Sequence, residues 1–170
     1  MTLLPRAILG ANDDWIESFR RTYFPPLNHT LHRIGHVIGV PLYSTGVDGG
    51  NQYVGAMSED EDTIEQELVE VGAVRNPLAC FKHLNDGRES EGSWVILHGD
   101  RPDLIEHGRQ LHITLFERKD GKPGRAIYAH YEDDWRVHPL WHLRCKHFSP
   151  KTGVAKTKKL IHKSSFLTLA

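Results

Sequence analysis

Two stretches of the chain, 111–117 and 125–131, place the strongest constraint on its fold. The first carries aliphatic side chains at every second position, namely Leu111, Ile113 and Leu115. This period of two is typical of a β-strand with one buried face. The segment between the two stretches contains Asp-Gly-Lys-Pro-Gly, a run of residues that favours turns. We therefore predict an antiparallel hairpin over about 111–131, preceded by a short apolar strand over 93–97.

Helices are predicted on both sides of these strands. Asp14 followed by Glu17 resembles a capping box at the start of a helix over 14–24, and aliphatic residues at helical spacing predict a second helix over 28–38. An acidic helix over 60–71 ends at Gly72. Two short helices follow the hairpin, over 138–146 and 153–163. The expected fold is α+β, with N-terminal helices packed on a small antiparallel sheet and short C-terminal helices.

Composition narrows the class of protein. The 170 residues, 39% of them hydrophobic, suit a single folded domain covering 1–170. No run of about 20 apolar residues is present, so we expect no membrane segment. Two cysteines without metal-ligand spacing favour a reducing, cytoplasmic location. The net charge of −1 predicts no global attraction to nucleic acid, although acidic residues concentrate in 57–70 and basic residues in 141–170.

Twelve histidines are the most unusual feature of the composition. A first group, at positions 29, 32 and 36, falls on the predicted helix over 28–38, opposite its aliphatic stripe. His32 and His36 are four residues apart and so lie on one face, the spacing that holds a metal in helical zinc sites. A solvated polar helix face explains the same pattern without any metal.

A second group follows the hairpin, in the sequence His-Pro-Leu-Trp-His-Leu-Arg-Cys-Lys-His. His138 and His142 again have the spacing of metal ligands on a helix, which gives an alternative metal set of His32, His36, His138 and His142. The nearby aromatic and cationic residues also favour a pocket for an anionic or aromatic ligand. The residues assigned to such a pocket are Trp135, His138, His142, Arg144 and His147. Aromatic core anchors with hydrogen-bonded histidines are the competing interpretation.

The third group lies on the hairpin itself. His112 and Thr114 share one face of the first strand. If the pairing register is even, His130 lies on the same face of the second strand, together with Tyr128 and Glu132. Paired imidazoles with a hydroxyl group can cleave a phosphodiester without a metal, because one imidazole takes a proton while the other gives one. Arg109 and Arg125 would supply cations for the phosphate.

The His112-Ile113-Thr114 sequence between apolar residues resembles the His-x-Thr motif of the two-histidine (2H) phosphoesterases. That family carries two such motifs on paired strands, and the resemblance implies phosphodiester chemistry at these histidines. The resemblance covers five residues. The second candidate, His147-Phe148-Ser149, follows only 35 positions later and is succeeded by Pro150, which departs from the family's pattern of two well-separated motifs.

The basic C-terminal segment is the fourth candidate feature. In a helix over 153–163, Lys156 and Lys159 lie on one side, as expected of a surface that contacts phosphates. A solvated helix face explains the same charges.

Three functional hypotheses follow from these features. The first is a small cytosolic protein that handles a phosphodiester or nucleotide through metal-free histidine acid–base chemistry, with a nucleic acid or nucleotide as partner and no cofactor. The second is a non-catalytic module whose acidic and basic patches bind a protein partner or another copy of the chain. The third is a protein that holds zinc or another transition metal through histidines.

Overall fold

A five-stranded antiparallel sheet organises the part of the chain that the computed structural model describes, namely residues 30, 33–34, 37, 46–47, 49–76, 83–84, 86–88 and 90–163. The strands within these residues are β1 (Gly46–Val47), β2 (Tyr53–Met57), β3 (Val74–Arg75), β4 (His83–Leu84), β5 (Ser90–Leu97), β6 (Arg109–Glu117) and β7 (Arg125–Asp133). The large sheet has the order β2-β7-β6-β5-β3, and β1 pairs with β4 in a separate parallel ribbon.

The predicted hairpin is confirmed and is longer than the sequence indicated. β6 and β7 pair without interruption from Arg109 opposite Asp133 to Glu117 opposite Arg125. The predicted strand over 93–97 is confirmed as part of β5, which begins three residues earlier. The centre of the sheet is therefore the pair of strands on which the sequence places His112 and His130.

The helices whose bounds lie within the described residues are α1 (Gly49–Gln52), α2 (Glu61–Glu70), α3 (Pro139–Leu143) and α4 (Pro150–Lys163). The predicted acidic helix is confirmed as α2. Asp60 caps it by accepting a hydrogen bond from the Thr63 N–H at 2.8 Å, and Gly72 follows it with a φ of 91°, a conformation that favours glycine. None of the helices within the described ranges is long and apolar enough to cross a bilayer.

The α+β class is confirmed, but the predicted placement of the helices is wrong. The helices described here come mostly from the C-terminal part of the chain, and α4 is the longest of them. In the N-terminal part, the helix predicted over 14–24 lies outside the described residues. Four residues of the helix predicted over 28–38 are described as helical, and two of them, Ile34 and Val37, are exposed rather than packed.

The core lies on one face of the sheet, formed by the odd-numbered residues of β6 and β7. Helix α4 covers this face with Leu160 and Ile161, and α2 contributes Ile64 and Leu68 to the same apolar cluster. The strand residues in the cluster are Leu111, Ile113, Leu115, Ile127, Ala129 and Tyr131. The even-numbered residues point to the opposite face, and they are buried as well.

Helix α4 approaches the sheet closely through one glycine. A Cβ atom placed on Gly153 would lie 2.2 Å from the Cα atom of His130, in contact with rigid backbone. Because the His130 side chain points to the other face, its bare backbone is what the helix meets. The helix thus depends on a residue without a side chain at this position, and its packing fixes the strand that carries His130.

Gly153→Ala should therefore destabilise the protein, although alanine is the better helix former by about 1 kcal/mol. We expect a loss of about 2 kcal/mol or more in the free energy of unfolding, since the added methyl group forces α4 away from β7. Urea unfolding followed by circular dichroism measures this loss. Gly99→Ala is the control, because a Cβ atom at Gly99 meets nothing within 4 Å. Unchanged or increased stability in the Gly153 variant would contradict the packing described here.

Candidate functional site

The hairpin register brings two histidines together on the even-numbered face. His112 and His130 lie directly opposite each other in the β6–β7 pair, and their ring centroids are 4.7 Å apart. The even register that the sequence left open is therefore the one observed. Both side chains are buried, with 2% and 3% of their surface exposed.

Glu132, two residues beyond His130 on the same face, joins the two imidazoles. Its Oε1 atom lies 3.1 Å from Nδ1 of His112 and 3.3 Å from Nε2 of His130. Gln110 donates a third hydrogen bond to the same oxygen, at 2.8 Å. We call His112, His130 and Glu132 the His–Glu centre.

The remaining ring nitrogens of the His–Glu centre also have buried partners. Nε2 of His112 contacts the hydroxyl of Ser93 on β5, and Nδ1 of His130 lies 2.8 Å from Oε1 of Gln52 in α1. Ser93 is fully buried, and Gln52 is 5% exposed. The centre is therefore held from three sides by neutral polar groups of different elements.

These contacts restrict where the protons lie. Because Oε1 of Gln52 only accepts hydrogen bonds, Nδ1 of His130 carries the hydrogen between them. In a neutral imidazole, Nε2 would then present a lone pair to the Glu132 carboxylate, an unfavourable contact. A cation between the two groups, either a proton that makes His130 an imidazolium or a metal ion, makes the contact favourable.

The ionisation of Glu132 depends on the neighbouring histidines. Burial by itself raises the pKa of a carboxyl group, but the charge of His130 and the hydrogen bonds from both histidines hold the pKa of Glu132 well below its usual value of 4.5. Glu132 is therefore an ionised carboxylate inside the protein, and its stability depends on the cationic partner.

Two further histidines approach the same end of β7. Nδ1 of His142 donates to the backbone oxygen of Asp133 at 3.0 Å and lies 3.5 Å from Oε2 of Glu132. Nδ1 of His147 lies 3.0 Å from an oxygen of the Asp133 carboxylate. The segment that carries α3 is thus attached to the strand through imidazole–carboxylate contacts beside the His–Glu centre.

The arginines predicted to bind phosphate are engaged in other contacts. Arg109 donates to the backbone oxygens of Glu132 and His147 at 3.1 and 2.7 Å. Arg125 forms ion pairs with Glu61, at 2.9 Å, and with Glu91. Both guanidinium groups tie strands to neighbouring segments in this structure.

Two of the other predicted binding residues, His138 and His147, contact the Trp141 ring. The ring centroid of Trp141 lies 4.5 Å from that of His138, in a stacked arrangement, and 5.5 Å from that of His147. Trp135 is partly buried and Arg144 is exposed. The helix predicted over 138–146 is confirmed in its first half, as α3. The helix predicted over 153–163 is confirmed as α4, which starts three residues earlier.

The two lysines of the predicted basic stripe differ in their surroundings. Lys159 is exposed, whereas the Lys156 ammonium donates to the backbone oxygen of Leu104 and lies 4.7 Å from the centroid of the Tyr131 ring. Lys156 therefore faces the protein and is not presented to solvent beside Lys159.

The metal-donor side chains that lie close together in the structure are not those of the predicted metal set. Among the described residues, one group of three donors has its ligand atoms within 4.8 Å of one another, and it consists of His112, His130 and Glu132. His138 and His142 do not belong to it, and His32 and His36 lie outside the described residues. The predicted site hydroxyl, Thr114, is buried two positions along β6, opposite Tyr128, whereas Ser93 is the hydroxyl that contacts His112.

Sequence reasoning missed the polar groups that complete the site. Ser93 and Gln110 lie inside apolar strands, and Gln52 is 78 positions from the histidine it contacts. The sequence placed Glu132 on the same face of its strand as His130, without assigning it a role. No family model, curated protein or solved structure matches this chain.

Glu132→Gln should destabilise the protein by about 3 kcal/mol at neutral pH, because it leaves the buried imidazoles without their counter-charge. The free energy of unfolding is measured with a denaturant in the presence of a chelator. Under these conditions no metal ion contributes to the stability of the His–Glu centre. Glu117→Gln, at an exposed position near the other end of the hairpin, is the matched control and should change stability by less than about 0.5 kcal/mol. Equal stabilities of the two variants would show that Glu132 carries no paired charge.

Proposed function

We propose that this protein binds one divalent transition-metal ion, with zinc as the first choice, through His112, His130 and Glu132. The observation that carries the proposal is the convergence of two imidazole nitrogens and a carboxylate oxygen inside the protein, each within 4.8 Å of the others. Imidazole and carboxylate groups are common ligands of zinc and of related metals.

The spacing of the donors supports this assignment. Ligands bound to zinc at about 2.1 Å in a tetrahedral arrangement lie about 3.4 Å from one another. The two nitrogen–oxygen distances in the centre, 3.1 and 3.3 Å, are close to that value. The cation between the His130 ring and the Glu132 carboxylate would then be the metal ion itself.

The partners of the three ligands also suit a metal site. Ligating histidines usually bond through their second nitrogen to a polar group, which fixes the tautomer and the ring orientation. Ser93 and Gln52 occupy these positions, and Gln110 orients the carboxylate. Each ligand therefore has a buried orienting partner.

The burial of the centre favours a structural role for the metal. All three residues are less than 7% exposed, so a large substrate does not reach them in this conformation. Buried metal sites stabilise the fold, because the unfolded chain binds the ion far less well. We therefore propose a metal-stabilised domain, with β5, β6 and β7 held together at their centre.

Purified protein should contain about one equivalent of zinc or a similar metal by elemental analysis, retained through gel filtration. Removing the metal with a chelator should lower the melting temperature by about 10 °C, and returning zinc should restore it. His130→Ala should lose both the metal and the chelator response. Metal-free protein whose melting temperature is unchanged by added zinc, nickel, iron or cobalt would overturn the proposal.

His147→Ala is the matched control for this experiment. The His147 imidazole lies at the same end of the sheet and contacts a carboxylate, but it is not one of the three grouped donors. It should keep its metal and its response to chelator.

A second candidate function is metal-free acid–base chemistry on a phosphodiester or nucleotide. One observation favours it: the Ser93 hydroxyl, the His112 ring and the Glu132 carboxylate form a continuous chain in which Nε2 of His112 faces the hydroxyl. That order of groups activates a serine in hydrolases. A substrate would need an opening toward the buried Ser93, and the exposed lysines of α4 would serve to attract a nucleic acid.

Incubation with labelled RNA and with cyclic and linear dinucleotides tests this candidate. Cleavage that survives a chelator and falls at least about a hundredfold in both His112→Ala and His130→Ala would support it. Cleavage that persists in both variants, or no cleavage at all by folded protein, would eliminate it.

The remaining proposals rest on coarser observations. Association through opposite charge patches, with another copy or a protein partner, is supported by the acidic α2 and by the exposed lysines at 151, 158 and 159 of α4. A cytoplasmic location is proposed from the low cysteine content alone.

A further inference from the structure

A cavity of about 540 Å³ lies at the other end of the even-numbered face, away from the His–Glu centre. Its lining includes residues of β2, β4 and β7, together with the turn at 118–120 that leaves β6. The side chains of the His–Glu centre do not line it. The cavity is therefore a separate feature, of a size that accommodates small-molecule ligands.

The floor of the cavity is small and apolar. Ala56 and Ala126 are directly paired across β2 and β7, and their short side chains leave the space that larger residues would fill. Tyr53 and Tyr128 are also paired on this face, with ring centroids 5.3 Å apart. Tyr53 is 45% exposed, so a large aromatic surface is available beside the cavity.

The rim of the cavity carries more positive than negative charge. Its side chains include the cations Arg88, Arg118 and Lys119 and the carboxylates Asp86 and Asp120. Arg88 pairs with Asp86 at 2.9 Å, and Arg118 pairs with Asp120 at 2.7 Å.

Lys119 is the third rim cation, and its charge also acts on the Asp86 carboxylate. It is exposed, and it forms no ion pair with a carboxylate in the part of the chain that is described. An ammonium group at the edge of an apolar floor attracts an anion, and the two tyrosines favour a flat ring.

From this arrangement we infer that the cavity binds a small aromatic molecule that carries an anionic group, of the chemical class of a nucleoside monophosphate. The ring lies over the paired alanines beside the tyrosines, and the anionic group meets Lys119. The inference is independent of metal binding, because the two sites share no side chain.

Isothermal titration with AMP, adenosine and inorganic phosphate separates the contributions of the ring and the anion. AMP should bind at least tenfold more tightly than adenosine or phosphate. Lys119→Ala should weaken AMP binding about five- to tenfold without changing the affinity for adenosine. Lys122→Ala is the matched control, since it lies in the same turn but does not line the cavity, and it should bind AMP as the wild type does.

Ala56→Leu tests the cavity itself by filling it with an apolar side chain. AMP binding should be lost while the melting temperature stays near that of the wild type. Absence of AMP binding to folded wild-type protein, equal affinities for AMP and adenosine, or an unchanged AMP affinity in Lys119→Ala would each overturn the inference. Because Lys119 is exposed, its variant keeps the test decisive even if Ala56→Leu fails to fold.

Discussion

The ionised carboxylate of Glu132 inside the sheet is the constraint on which the rest of the structure depends. Burying a charge of this kind costs several kcal/mol unless a cation and hydrogen bonds compensate it. The β6–β7 register supplies both, because it places His112 opposite His130 and leaves Gln110 beside the carboxylate. A slip of one residue would turn Glu132 toward the apolar core. The buried charge therefore selects one register out of the neighbouring ones.

The sequence was sufficient to predict the hairpin, because its information is local. Aliphatic residues at alternate positions and a glycine-rich turn define two adjacent strands without reference to the rest of the chain. Alternation, however, indicates only that one face is apolar, and it left the histidine face open to solvent or to a cleft. The polar face tolerates burial because its groups bond to one another across 20 positions, from His112 to Glu132, and across 78, from Gln52 to His130. Pairings of that length leave no local pattern in one sequence.

The helices show the same division between local and distant information. Asp60 caps α2 and Gly72 follows it; the sequence predicted the end at Gly72 and a start at position 60, one residue before the observed start. The layer in which a helix packs depends on contacts between distant segments, and for α4 the deciding residue is Gly153, which meets the backbone of His130. A glycine inside a helical pattern ordinarily weakens the prediction of a helix. Here it permits the close approach that places the C-terminal helix on the sheet.

The number of donors around one oxygen bears on which cation compensates Glu132. A proton on His130 accounts for one contact to Oε1, yet this oxygen receives nitrogen atoms from His112, His130 and Gln110. Among the described residues, Oε2 has one such neighbour, His142, at 3.5 Å. Three donors exceed the two lone pairs of a carboxylate oxygen. Two imidazole nitrogens that turn toward an ion beside Oε1 would produce the same crowding without competing for lone pairs. The uneven distribution is the arrangement that the proposed metal ion would produce beside Glu132.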